Sequence, residues 1–285
     1  MRLARPAILV GLIGAGIQAS GSPALHMQEG EAQGLRYLYR LIDLEVLNLG
    51  VESLPTLLAA AEQMRFDGLN ITHPCKQAVI PLLHALSDDA RALGAVNTVV
   101  LRDGRRIGHN TDWWGFAESF RRGLPGANMS RVVLVGGGGG GAAVAYATLK
   151  LGAAHLSVFD IDQHRAQLLA DRLGGQFGRD RISAGSDLRR VTEEADGLVH
   201  ATPTGMVKYP GLPLPAGLLR PSMWVAEIVY FPLETALLRA AKAAGCRTLD
   251  GGGMAVFQAA EAFRLFTGME PDVERMARHF VSMGV

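Results

Sequence analysis

Six consecutive glycines, Gly136, Gly137, Gly138, Gly139, Gly140 and Gly141, separate the apolar run 131–135 from the small-residue stretch 142–147. Glycine costs more backbone entropy to order than any other residue, so six of them between two ordered flanks need a reason. A flexible loop would need neither an apolar strand before it nor an Ala-rich helix after it. A strand, a bare turn and a helix are what a dinucleotide pyrophosphate requires. Gly136, Gly138 and Gly141 fill the G-x-G-x-x-G template: a tight turn, a close backbone approach to phosphate, and close helix–strand packing. The anion would rest on free N–H groups at the helix N-terminus, where Gly139 and Gly140 begin the first turn.

Residues 155–160 read as the second strand of this unit, and Asp160 ends it 19 positions past Gly141. An acidic side chain there accepts hydrogen bonds from the adenosine ribose hydroxyls and repels a 2′-phosphate, which favours NAD over NADP. Asp160 also suits the N-cap of a helix beginning near Asp162, and the two roles are compatible. Arg165 is a group that a 2′-phosphate would seek; it otherwise lies under the adenine or pairs with a nearby Asp.

With 285 residues the chain has room for two domains of ordinary size, and a hydrophobic content of 48% gives ample core. The formal net charge is +1 and there is no basic run, which argues against a nucleic-acid partner. Cys75 and Cys246 fit no metal-ligand spacing, so no metal is expected, and so few cysteines suit a reduced, cytoplasmic protein. The apolar start, residues 7–13, is too short for a membrane span. Behind Arg2 and Arg5 it reads better as a first buried strand than as a signal peptide.

Strand-like runs at 7–13, 37–44 and 66–72 alternate with helical spacing at 54–64 and 77–86. Residues 96–101 and 105–107 flank Asp103-Gly104, a favoured two-residue hairpin turn. A helix over 112–122 then leads to a plausible boundary at Gly123-Leu124-Pro125-Gly126. Further strands at 132–135, 156–160, 197–201 and 225–230 alternate with helical pattern, as in a doubly wound parallel sheet. Two late helices, 254–267 and 272–282, are expected to return to the first domain. The expectation is therefore α/β: a substrate domain at 1–112 completed by 254–285, a Rossmann domain at 124–250, and a cleft between them.

Three polar loops end strands, where open α/β sheets place ligands. In Asn70-Ile71-Thr72-His73-Pro74-Cys75-Lys76, Lys76 begins a helix. In Gly108-His109-Asn110-Thr111-Asp112, Asp112 is either an N-cap or a carboxylate that orients an amine. A Lys and an Asp together form a proton-transfer pair for a hydroxyl losing hydride. Ser20 and Ser22, two apart, face one way in an extended segment and suit a carboxylate or diol. They equally suit the cap of a helix whose first turn holds Pro23. Asn97, Thr98 and Gln258 are further donors.

These residues carry a resemblance. Ser20-Gly21-Ser22-Pro23, the Asn70–Lys76 and Asn110-Thr111-Asp112 loops and Gly94-Ala95-Val96-Asn97-Thr98 are similar, in order and spacing, to the motifs of the shikimate dehydrogenase family. So are the glycine turn, Ala201-Thr202-Pro203-Thr204-Gly205-Met206, Tyr230-Phe231-Pro232 and Gly253-Met254-Ala255-Val256-Phe257-Gln258. The Asp160–Arg165 segment resembles the NAD-preferring quinate/shikimate branch.

The resemblance implies reversible oxidation of a ring hydroxyl on a cyclohexane or cyclohexene carboxylate, with hydride passing to NAD and no metal. It implies Lys76 as acid/base with Asp112 as partner, and Ser20 and Ser22 on the carboxylate. Thr72, Asn97, Asp112 and Gln258 would bind ring hydroxyls, and Tyr230 would line the substrate side. Thr202, Pro203, Met206, Val229 and Gly253 would line the cofactor side.

Ala19, Trp113, Trp114, His200 and Glu227 depart from what is common in the family. The alternatives are an NADP-dependent shikimate or aminoshikimate-type dehydrogenase, and a non-catalytic metabolite sensor on the same scaffold. Monomer and homodimer both remain open.

Overall fold

The computed structural model describes residues 7–284; Arg2, Arg5 and Val285, included in the readings above, lie outside the described residues. The chain forms two units. Of the described residues, the first holds 7–111 and Gln258–Gly284, the second Asp112–Phe257.

The first unit runs β1 (Ala7–Gly14), α1 (Ser22–Ala32), β2 (Arg36–Asp43), α2 (Leu44–Leu47), α3 (Leu54–Gln63), β3 (Gly68–Ile71), α4 (Cys75–Ala78), β4 (Ala85–Leu86), α5 (Asp88–Leu93), β5 (Thr98–Arg102) and β6 (Arg105–His109). Its sheet has the order β2-β1-β3-β5-β6-β4. Strands β1, β2 and β3 are parallel, while β5 turns antiparallel to β3 and to β6. Both faces of the sheet are covered, so β1 reads as a continuous apolar run. Leu9 and Ile13 point into the core under α3 with Leu54 and Leu58. Val10 and Leu12 point the other way, toward Tyr37, Tyr39, Phe263 and Phe266. Asp103 and Gly104 both have positive φ, 52° and 69°, as the twist of a two-residue hairpin requires.

One expected element is corrected. Residues 77–86 are not a helix: α4 ends at Ala78, a single 3₁₀ turn follows at Ile80–Leu82, and Ala85–Leu86 form a strand. Pro81 cannot donate to a helical ladder and its ring clashes with the preceding turn. The chain instead extends, and β4 pairs with β6 at the sheet edge.

The second unit runs α6 (Asp112–Gly123), β7 (Arg131–Val135), α7 (Gly139–Lys150), β8 (His155–Phe159), α8 (Gln163–Phe177), β9 (Ile182–Ala184), α9 (Leu188–Glu193), β10 (Gly197–His200), β11 (Trp224–Glu227), α10 (Ala236–Ala243) and β12 (Arg247–Leu249). All six strands are parallel, in the order β12-β11-β10-β7-β8-β9. This is the doubly wound arrangement with its switch point between β7 and β10. The Gly123–Gly126 segment lies inside this unit, because α6 packs here: Trp113 meets Tyr146 of α7 edge-on, with centroids 5.4 Å apart. The chain returns to the first unit within α11 (Gly252–Thr267) and ends in α12 (Val273–Ser282). Among the described residues, no helix is long and apolar enough to cross a membrane.

Candidate functional site

In the second unit the glycine run divides its labour. Gly136 has φ 108°, and a Cβ there would lie 2.5 Å from the Ala201 carbonyl oxygen and 2.8 Å from the Thr202 methyl. Only glycine makes that turn without strain. A Cβ on Gly141 would land on the Gly136 carbonyl, so the third glycine lets α7 close onto β7. At Gly138, the N-cap of α7, the same test meets nothing within 4 Å. The backbone is bare and open just where the first N–H groups of a 12-residue helix lack intrahelical partners. That cradle and its dipole fit a dinucleotide pyrophosphate.

Asp160 follows β8 and faces this turn. Its Oδ2 accepts the Gly137 backbone N–H at 2.7 Å. Its Oδ1 accepts the Asp162 N–H at 2.9 Å and faces Arg165 Nη1 at 3.4 Å. Helix α8 is capped by Asp162, which accepts from the backbones of His164 and Arg165. The capping role considered for Asp160 therefore belongs to its neighbour. Arg165 pairs with Asp160 and, at 3.6 Å, with Asp162.

The first unit collects its expected site residues at one end of its sheet. The β3–α4 loop is held by three backbone hydrogen bonds to two neighbouring segments, the end of β1 and the stretch before β5. Thr72 N–H donates to the Ile13 carbonyl, Ala15 N–H to the His73 carbonyl, and Val96 N–H to the Lys76 carbonyl, each at 2.9 Å. Lys76 is half-buried in the short α4, whose Cys75 fills the core. Asn97 is buried, and its carboxamide accepts the Thr111 N–H at 2.7 Å and donates to the Thr111 hydroxyl at 2.9 Å. Ser20 and Ser22 bracket the start of α1, but the N-cap is Gly21 and neither hydroxyl caps the helix. Ser20 Oγ accepts the Ser22 N–H at 3.3 Å instead. Gln258 is half-buried and begins the part of α11 that belongs to this unit.

In the second unit Asp112 is buried and is itself the first residue of α6. Desolvation, and then the Asp112 carboxylate, push the Tyr230 phenol above its usual value, so these two groups share a field. Thr202 packs on the glycine turn, Pro203 and Met206 lie in the exposed loop beyond it, and Val229 is buried. Gly253 serves packing, since a Cβ there would strike the Ser119 hydroxyl of α6. The indoles of Trp113 and Trp114 pack edge-on against Tyr146 and Phe257.

The sequence does not disclose Asp43, Tyr39 or the contacts behind this front. Asp43 accepts backbone N–H groups from Gly16, Ile17 and Glu45 and the Gln18 amide, fixing the loop that leads to Ser20. Those donors, Gln18 first, hold its carboxyl below the usual carboxylate range. Tyr39 donates to Asn70 Oδ1 at 2.8 Å, and the Asn70 amide donates to the Asn97 carbonyl and the Thr98 hydroxyl. A polar Asn inside a strand core was the available signal for that network. His200 and Glu227 form a second buried pair, with Nδ1 2.9 Å from both carboxylate oxygens.

Residues 12–99 match the family model described as the shikimate dehydrogenase substrate binding domain, and residues 251–279 match the shikimate 5′-dehydrogenase C-terminal domain. The chain is 60% identical to a shikimate dehydrogenase (NADP(+)) of Streptomyces avermitilis, over 94% of this chain and 93% of that one. It is 52% identical to a quinate/shikimate dehydrogenase (NAD(+)) of Corynebacterium efficiens, over 97% and 98%. Its structure is similar to quinate dehydrogenase from Corynebacterium glutamicum in complex with NAD, with a TM-score of 0.93 and 48% identity. That match covers 98% of this chain and 100% of the other. With relatives this similar along nearly its whole length, the chain belongs to the shikimate dehydrogenase family.

Proposed function

We propose that this protein is an NAD-dependent dehydrogenase that reversibly oxidises a ring hydroxyl of quinate, shikimate or both to the ketone. The cofactor assignment is carried by the Asp160 carboxylate, tied to the glycine turn through Gly137 N at 2.7 Å. A negative charge there accepts from ribose hydroxyls and repels a 2′-phosphate. The 52% identity to a relative named as NAD-dependent supports the same reading.

The first unit is the substrate domain and the second the cofactor domain. Bound NAD supplies the hydride acceptor, its nicotinamide ring. The Lys76 amine takes the proton of the substrate hydroxyl as the adjacent C–H bond gives up its electron pair and the carbonyl forms. The Asp112 carboxylate orients that amine. Ser20 and Ser22 bind the ring carboxylate, while Thr72, Asn97 and Gln258 bind ring hydroxyls and fix which carbon reacts. Two buried, unpaired cysteines, Cys75 and Cys246, support a reducing cytoplasmic setting.

A second reading, an NADP-dependent shikimate dehydrogenase, is favoured by the 60% identity to a relative so named and by the half-exposed Arg165 guanidinium beside Asp160. Initial rates for quinate and shikimate, each with NAD and NADP, decide between them. Faster turnover of either substrate or of both with NAD than with NADP supports the proposal. A clear preference for NADP overturns the assignment of Asp160, and turnover with neither nucleotide overturns the dehydrogenase reading.

A further inference from the structure

His200 and Glu227 end adjacent parallel strands, β10 and β11, and stand opposite each other in register. Both are essentially inaccessible to solvent, at 0% and 1%. Burying a carboxylate and an imidazole costs several kcal/mol unless hydrogen bonds replace the lost water. Here each polar atom has a partner. Glu227 accepts His200 Nδ1–H on both oxygens, the Val229 backbone N–H at 3.0 Å and the Thr235 hydroxyl at 3.1 Å. A carboxylate only accepts, so Nδ1 carries the proton and the tautomer is set. The opposite ring nitrogen, Nε2, lies 2.5 Å from the Thr202 hydroxyl.

The pair therefore pins three loops at the ligand-binding edge of the second sheet. Thr202 is fixed with its methyl against Gly136 of the glycine turn, and its hydroxyl accepts the Thr204 N–H at 3.2 Å. The chain after β11 is fixed through Val229. The start of α10 is fixed because Thr235, which caps it, also donates to Glu227. Asp160 marks the β8 side of the switch point as the adenosine half, so β10 and β11 carry the other half of a dinucleotide.

We propose that His200 and Glu227 are positioning residues for the nicotinamide half of the cofactor, acting through the Thr202 hydroxyl and the Val229 backbone. This rests on the reading of the second unit as a cofactor domain. The imidazole spans from one strand end to the next loop, a distance that a carboxylate and a hydroxyl alone would leave to water.

A double-mutant cycle between His200→Gln and Thr202→Val tests it. Thr202→Val keeps the shape of a half-exposed side chain and removes one hydroxyl, so it keeps the test readable if the His200 variant folds poorly. Nucleotide affinity is read by titration, kinetics by initial rates, and folding by thermal melting. Thr202→Val should raise the NAD Kd and KM up to about tenfold, the upper end expected for the loss of one partly buried hydrogen bond. The substrate KM should stay within about twofold, and adding His200→Gln should cost little more, because both act through one contact. Additive effects, an unchanged NAD KM in Thr202→Val, or equal rises in both KM values overturn the proposal. The wild-type titration tests the underlying reading separately. If the wild type binds NADP in place of NAD, the cycle is run with NADP, and the same non-additive loss still supports the strut. If it binds neither nucleotide, the proposal fails with the reading on which it rests.

Discussion

The Asp160 carboxylate accepts the Gly137 backbone N–H at 2.7 Å, which joins the acidic end of β8 to the turn that would hold the pyrophosphate. One side chain thus shapes the glycine turn and sets the charge beside it. Asp160→Asn separates the two roles: it keeps an acceptor for Gly137 and removes the charge. We expect the NAD KM to rise about tenfold, as for loss of a charge-assisted hydrogen bond. The substrate KM should hold, and use of NADP should improve relative to NAD. Asp160→Ala should do more, since the turn loses its anchor as well. Initial rates with both nucleotides measure this, and a variant with unchanged cofactor preference would refute the ribose assignment.

Lys76→Ala should lower kcat by roughly two to four orders of magnitude, the range typical of general acid–base groups. The half-buried amine can be removed without opening the core, because the neighbouring Cys75 rather than Lys76 fills it. Nucleotide affinity should therefore be unchanged, and the melting temperature nearly so. Asp112→Asn should lower kcat less, since it leaves the proton acceptor in place. Near-normal turnover in Lys76→Ala would remove that residue from the proposed chemistry.

What the sequence disclosed follows from how local each signal is. The glycine turn, Asp160 and the Asp103-Gly104 hairpin are short-range features whose geometry is dictated within a few residues, and each is found where expected. The Ser20 and Ser22 caps failed because a Ser before Pro suits a cap and a binding loop alike, and Gly21 took the cap position. The helix expected over 77–86 is absent because Pro81 breaks the ladder that its apolar spacing suggests. Strands β9 and β12, three residues each, are too short to show a period. The supporting contacts are not legible in the sequence for a different reason. Asp43 and the loop at Gly16, or His200 and Glu227, are 27 positions apart in sequence and meet only through strand pairing.

His26 makes stability depend on pH. Its ring is buried on α1 among Tyr37, Tyr39, Phe263 and Phe266, with Nδ1 2.9 Å from the Tyr37 hydroxyl. Burial lowers its pKa from 6.5 to about 3. The unfolded chain takes up this proton near pH 6.5, whereas the folded chain refuses it until about pH 3. The contribution is therefore complete above pH 6.5 and shrinks as pH falls toward 3, by about 1.4 kcal/mol per unit. Between pH 7 and pH 5 the loss should be roughly 2 kcal/mol. The carboxylates with depressed values, Asp43, Glu62, Glu234 and Asp272, lose their contributions as pH falls from the ordinary carboxylate range toward their lowered values, mostly below about pH 5. Burial also lowers the His109 pKa, so it adds to the same interval with the same sign, and urea unfolding at pH 7 and pH 5 isolates His26 only by comparison with a His26 variant. His26→Asn should be less stable at pH 7 and flatter across the interval, and an equally steep wild type and variant would place the titration elsewhere.

Glu29 and Arg275 close the first unit from opposite ends of the sequence. The Glu29 carboxylate on α1 is fully buried and accepts Arg275 Nε at 2.8 Å and Nη2 at 2.7 Å. It also accepts the Asp272 N–H at 2.8 Å and the Gln33 amide at 2.6 Å. A planar guanidinium fork satisfies both oxygens at once, which an ammonium cannot do. Arg275→Ala should therefore destabilise the protein by about 3–5 kcal/mol, because it strands a buried charge. Arg275→Lys should recover only part of that loss. Replacing both partners, with Glu29→Gln and Arg275→Met, should cost less than the two single changes together, since no lone carboxylate remains. Urea unfolding of the wild type, the single variants Glu29→Gln and Arg275→Met, and the double variant measures the coupling. Additive losses would mean that the carboxylate draws its stabilisation from Gln33 and the Asp272 backbone rather than from Arg275.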